Sequence, residues 1–244
     1  MSTSDPLAVA AVEAIHAGDT EALTRLLAEN PGLADARLGG DEDGCGGSGM
    51  TRSLLHVATD WPGNFPNGAA TVAALVASGA DVNARFTGPH TETPLHWAAS
   101  SDDVDVLDAL LDAGADIEAT GAVIGGGTPL ADATAFGQWN AARRLVERGA
   151  RADLWQAAAL GLVDRVQELC AASPPRAEEA TQAFWCACHG GQKHTAEILL
   201  GHGADVNWIG YDELTPLDAA RRSEATELAS WLQGRGAKAS DEIR

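Results

Sequence analysis

The chain has 244 residues, 45% of them hydrophobic, and a formal charge of −19. That is enough apolar material for a sizeable core, while no apolar run approaches the roughly 20 residues that a membrane span needs. Nucleic acid is excluded as a partner, because 16 Lys and Arg against 35 acids leave no basic cluster to displace counterions from phosphate.

Residues 6–38 read as an opening helix pair: Ala14-Ile15-His16-Ala17-Gly18-Asp19 closes one apolar helix, and Leu23, Leu26 and Leu27 line the next. Residues 39–52 follow as a glycine-rich finger that cannot pack a core. Gly44 to Thr51 has the spacing of a phosphate loop, but Met50 stands where the lysine belongs and no strand precedes it. Asp41, Glu42 and Asp43 lack the spaced ligands and closing glutamate of a calcium loop. A solvated loop is expected there. A second helix pair starts near Ser53 and is lengthened by Asp60-Trp61-Pro62-Gly63-Asn64-Phe65-Pro66-Asn67-Gly68.

The clearest unit comes next. It reads Thr93-Pro94-Leu95-His96-Trp97-Ala98-Ala99, then Val106-Leu107-Asp108-Ala109-Leu110-Leu111, then Gly114-Ala115-Asp116-Ile117. Thr93 caps free amides at a helix start, and Pro94 fits the first helical position, where its missing donor is not needed. Leu95, Ala98 and Ala99 share a face whose small alanines let neighbouring helices approach to roughly 8–10 Å. Gly114 supplies the left-handed stop of the second helix. Capping positions recur at Ser53, Thr93, Thr128, Ala152, Gln182 and Thr215, at spacings of 40, 35, 24, 30 and 33 residues. The closing motif recurs as Gly79-Ala80-Asp81-Val82-Asn83 and Gly203-Ala204-Asp205-Val206-Asn207.

These residues resemble ankyrin repeats, about seven of them. The resemblance implies an all-α solenoid of stacked helix-turn-helix units with short β-hairpin fingers, working as a protein-protein interaction module through a concave groove. One continuous domain, residues 1–244, is expected, with caps at residues 6–38 and 215–236 and a tail at 237–244. In the same frame Trp155 and Trp185 take the position held by His56 and His96, and Trp97 sits one residue further on, so all three read as framework. The histidines themselves are expected to bond backbone between units.

Departures from the repeat are the places to look for function, because packing explains the regular positions. The 60–68 insertion offers Asp60, Trp61 and Phe65, either projected at the groove rim or folded back over neighbouring helices. Phe86, His90 and Glu92 lie on one finger, and Trp208 and Tyr211 on the last. Ser100, Ser101, Phe136, Leu160 and His189 fall at first-helix ends. Together they outline a binding surface with aromatic and acidic character. Residues 1–142 carry 20 acids and 4 arginines, so a basic protein partner steered to the front half is the functional reading, and solubility alone is the plain one.

Chemistry is less legible. Cys186 and Cys188 point roughly 200° apart on a helix and cannot grip one ion, so no metal site and no cofactor are expected. An acid-base pair among Asp60, Glu92, Asp102, Asp103, His90 and His189 would need convergence that spacing cannot establish. The alternative to protein binding is a small-molecule site or atypical enzyme in a Trp-lined groove closed by the 60–68 loop. With no secretory pattern in residues 1–7, a cytoplasmic location with reduced cysteines is expected, and the Ala- and Arg-rich composition hints at a bacterial source.

Overall fold

Capping chemistry sets most of the helix starts. In the computed structural model, which describes residues 1–39 and 49–243, the chain forms two units, residues 1–150 and 151–244. The phosphate-loop-like spacing, the acids 41–43 and Cys45 fall on or reach into residues 40–48, outside the described residues.

The first unit contains four helix pairs among the described residues: α1 (Pro6–Ala17) with α2 (Thr20–Glu29), α3 (Leu54–Thr59) with α4 (Gly68–Ala77), α5 (Pro94–Ser100) with α6 (Val104–Asp112), and α7 (Pro129–Ala135) with α8 (Trp139–Glu147). First helices α1, α3, α5 and α7 pack side by side, as do second helices α2, α4, α6 and α8. The core between these rows is aliphatic. Leu54, Leu55, Leu75, Leu95, Leu107, Leu110, Leu130 and Leu145 are fully buried, and each would cost roughly 2–5 kcal/mol if cut to alanine. Gly114 stops α6 at φ +92°, as the sequence predicts.

Arginines hold the fingers of this unit. Strand β1 (Arg37–Leu38) pairs antiparallel with β2 (Arg52–Ser53), and Thr51 bridges to Thr87 of the next finger. The Arg37 guanidinium donates to the Thr51 carbonyl at 3.1 Å and to the Arg85 carbonyl. Arg85 repeats the move, donating to the carbonyls of Thr91, at 3.0 Å, and Thr120.

The second unit pairs α9 (Leu154–Ala159) with α10 (Val163–Ala172), α11 (Ala177–His189) with α12 (Lys193–Gly201), and α13 (Pro216–Arg222) with α14 (Thr226–Gln233), before a last short helix, α15 (Ser240–Ile243). Two starts differ from the sequence reading. Asp153, not Ala152, caps α9, because its carboxylate accepts from the Gln156 amide at 3.2 Å and an alanine has no acceptor. Helix α11 begins five residues before Gln182, where Arg176 and Glu179 close a capping box behind Pro174 and Pro175.

One joint is common to both units. The Asn83 side chain donates to the Gly114 carbonyl at 3.3 Å and accepts from the Asp116 amide at 2.8 Å. Asn207 does the same to Gly236, at 3.2 Å, and Lys238, at 2.8 Å.

Candidate functional site

Three residues after the caps Ser53 and Thr93 lies a slot that ties one repeat to the next. His56 Nδ1 meets Ser53 Oγ at 2.8 Å while its Nε2 donates to the Glu92 carbonyl at 3.1 Å. His96 is held between Thr93 Oγ1, at 2.9 Å, and the Gly127 carbonyl, at 3.3 Å. Burial pushes both imidazoles down, His56 to about 3 and His96 to about 4, so both are neutral. Because a carbonyl can only accept, the proton sits on Nε2.

The second unit fills that slot differently. The Trp185 indole Nε1 donates to the Leu214 carbonyl at 2.9 Å, one residue before the Thr215 cap, as Glu92 is one before Thr93. In α9 the slot belongs to Gln156, not Trp155. Moving the cap to Asp153 shifts the register by one, and Trp155 is left half-buried beside it.

Beside the first-unit slot the groups that the sequence scattered come together. Trp97 stands edge-on to His56 at 4.9 Å and tilted against Phe86 at 5.5 Å. Glu92, 7% exposed, is set beside this aromatic pair by its carbonyl, which accepts from the Phe86 amide at 2.7 Å. Burial raises the Glu92 carboxyl above its ordinary value. Asp132 lies one turn into α7 and is fully buried. Its Oδ1 accepts from the Ile124 amide at 3.4 Å, whereas Oδ2 meets no hydrogen-bond partner among the described residues. Desolvation, joined by the Glu92 charge, pushes Asp132 up to about 7. Asp132 was missed although a signal existed: it occupies the position of Trp97 in the preceding copy, where a charge is out of pattern.

The 60–68 loop divides between the two fates considered for it. Phe65 folds back and stacks on His16 at 4.5 Å, whereas Trp61 is 80% exposed. Asp60 pairs with Arg52 at 2.5 Å. The Asn64 amide donates to Asp103 at 2.7 Å and the Asn67 side chain to the Gly18 carbonyl at 2.9 Å, so the loop lies against the helices on both sides of its own pair. Ser101 sits beneath it, its hydroxyl donating to the Thr59 carbonyl at 3.3 Å. Ser100 turns its hydroxyl on the His96 carbonyl at 2.9 Å. Phe136, at the position in α7 equivalent to Trp61 and Ser101, is 48% exposed. Leu160 is buried and offers almost no surface.

The second-unit residues form their own cluster. Trp185 stacks on His189 at 5.5 Å and meets the edge of Tyr211 at 5.1 Å, and Tyr211 in turn meets Trp208 at 5.8 Å. Arg222, which sequence reasoning did not select, lies 5.9 Å over Trp185, approaches His189 Nδ1 at 3.3 Å and pairs with Asp212 at 2.6 Å. Tyr211 is half exposed. Cys186 and Cys188 are buried, with both thiols pushed up by desolvation, Cys186 to about 12. Among the described residues no group of three or more His, Cys, Asp or Glu is placed to hold a metal, and no helix is long and apolar enough to cross a membrane.

Residues 55–155 match the family model described as ankyrin repeats in three copies. This is an ankyrin-repeat protein. Its ankyrin repeats are 29% identical over 140 residues to the ankyrin repeat and KH domain-containing protein mask-1 of Caenorhabditis elegans, covering 57% of the chain and 4% of that protein. A second ankyrin repeat and KH domain-containing protein, from Caenorhabditis briggsae, is 31% identical over 189 residues, 72% of the chain and 7% of the relative. The chain thus spans a small fraction of the curated relatives it matches. The human ASB11 ankyrin repeat domain shares the fold at a TM-score of 0.53 and 20% identity, with 95% of this chain and 97% of that one covered.

Proposed function

We propose that the protein is a non-enzymatic interaction module that holds a basic protein partner along its fingers and first-helix ends. Ankyrin repeats generally bind proteins, and the observation that carries the reading here is the exposed pair Trp61 and Phe136. These are large aromatics at equivalent positions of two first-unit repeats, with the small Ser101 at the same position between them. Aromatic anchors of this kind bury much area at low entropic cost. The arginine-held fingers are ordered before binding, so little freedom is lost on association. Charge complementarity supplies the basic partner, since residues 86–142 contain nine acids and no lysine or arginine. Cys170, Cys186 and Cys188, buried and unbridged among the described residues, fit a reducing, cytoplasmic setting.

The test places a photo-crosslinking amino acid at position 61, at position 136 or at Glu147 on a second helix. Adducts with one partner from 61 and 136, absent from 147 and weakened by added salt, are expected. Equal adducts from all three positions, or none, would overturn the reading.

A further inference from the structure

Glu92 and Asp132 are buried carboxyl groups whose charges reach one another, a costly arrangement unless something compensates it. The surroundings supply little. Between Arg85 and Arg143 the chain has no lysine or arginine; the Arg85 guanidinium is held on the Thr91 and Thr120 carbonyls, and that of Arg37 on the Thr51 and Arg85 carbonyls. Besides the two carboxyls, the titratable groups here are His90 on the finger, whose charge reaches Glu92, His56, whose Nε2 is fixed on the Glu92 carbonyl, and His96, whose Nε2 is fixed on the Gly127 carbonyl. Asp132 Oδ2, fully buried, is left without a hydrogen bond among the described residues. Two more observations point to what belongs there. Trp97 and Phe86 set aromatic rings beside Glu92, a wall suited to an organic cation. The cover over Asp132 is the turn Gly121–Gly127, in which Gly121, Gly125 and Gly126 take positive φ and Val123 and Ile124 are 40% and 39% exposed. It rests on Asp132 through the Ile124 amide, at a long 3.4 Å.

We propose that Glu92 and Asp132, walled by Trp97 and Phe86 and covered by the 121–127 turn, receive the cationic end of an arginine or lysine side chain from the bound partner. This rests on the protein-binding reading above and adds the chemistry of its anchor. Entry of the cation lifts the turn, gives Oδ2 its missing donor and neutralises the carboxyl pair. Because burial holds Asp132 near 7, a cation that needs its ionised form displaces a proton as it binds. Binding therefore tightens as pH rises, by about tenfold between pH 6 and pH 8 for one such group.

The experiment is an NMR titration of the full chain, following the Ile124 amide and the Trp97 indole N–H. The probes are Nα-acetyl-arginine methylamide, its lysine counterpart and its neutral citrulline counterpart. Saturating shifts at both reporters with arginine or lysine, none with citrulline, about tenfold tighter binding at pH 8 than at pH 6, and loss of the response in Asp132→Asn and Glu92→Gln are expected. The difference between the arginine and lysine arms tells which cation the site prefers. A citrulline response equal to arginine, an unchanged response in Asp132→Asn, or no saturating shift with any probe overturns the proposal. Thermal melts of both variants identify any loss that comes from unfolding. Cross-linking at positions 61 and 136 with no cation response defeats only this inference, whereas a cation response without cross-links defeats the broader reading and leaves the receptor standing.

Discussion

The two units make the same joint with different chemistry. In the first, histidines 56 and 96 donate to the carbonyl before the next cap; in the second, Trp185 does so. The aromatic groups around these joints also differ in sign, Trp97 and Phe86 bordering the carboxyls of Glu92 and Asp132, and Trp185 lying under the guanidinium of Arg222. The joint therefore constrains hydrogen-bond geometry alone, and the residue that supplies it decides whether the unit responds to pH and what charge it presents.

The largest expected effect tests the equivalence of the slots. Trp185→Ala removes a buried indole and its bond to Leu214, and should cost roughly 3–5 kcal/mol in denaturant unfolding. Trp185→His should cost clearly less, because an imidazole can remake the bond; equal losses would break the equivalence. Next come the paired asparagines. Asn83→Ala and Asn207→Ala each remove two bonds to the following repeat and should each cost about 1–3 kcal/mol. A marked difference between them would mean that the joint is not shared.

The pH response separates the units further. His56 and His96 are held below 6.5 when folded, so the unfolded chain takes up protons first and stability is lost as pH falls below 6.5. Asp132 acts the other way, because its raised carboxyl binds a proton preferentially in the folded state, and stability falls as pH rises toward 7. Two imidazoles against one carboxyl leave a loss of about 0.8 kcal/mol per pH unit at pH 6, growing to about 1.2 kcal/mol per pH unit near pH 5. Amide hydrogen exchange, corrected for intrinsic rates, should show it in residues 1–150. In residues 151–244 Gln156 and Trp185 fill the slots and contribute no such loss. Asp132→Asn should steepen the first-unit response. The smallest effect is Trp61→Ala with Phe136→Ala, each within about 0.5 kcal/mol of wild type in unfolding, as exposed side chains should be.

Much of the fold was legible because capping residues, proline and glycine act locally. Thr93-Pro94, Thr215-Pro216 and Gly114 do in space what their types dictate. The misread starts were those without Thr-Pro, where Asp153 and Arg176 outcompeted the residues that spacing alone selected. The candidate surface was legible in part. Trp61, Phe136 and Tyr211 are exposed, whereas Leu160 is buried and the hydroxyls of Ser100 and Ser101 are turned on backbone carbonyls. Asp132 and Arg222 escaped because their meaning is relational: each matters through a neighbour 30 or more residues away in the chain, Glu92 for one and Trp185 for the other.

The joints themselves have a consequence for how such a chain can change over generations. Asn83, Asn207, His56, His96 and Trp185 all direct these hydrogen bonds to main-chain groups of the following repeat and to none of its side chains. Each repeat therefore imposes a grammar on its neighbour without dictating vocabulary. A copy can be duplicated, lengthened, as at 60–68, or rewritten across its outer surface, and it will still be accepted in line provided that its backbone turns where the staple expects it.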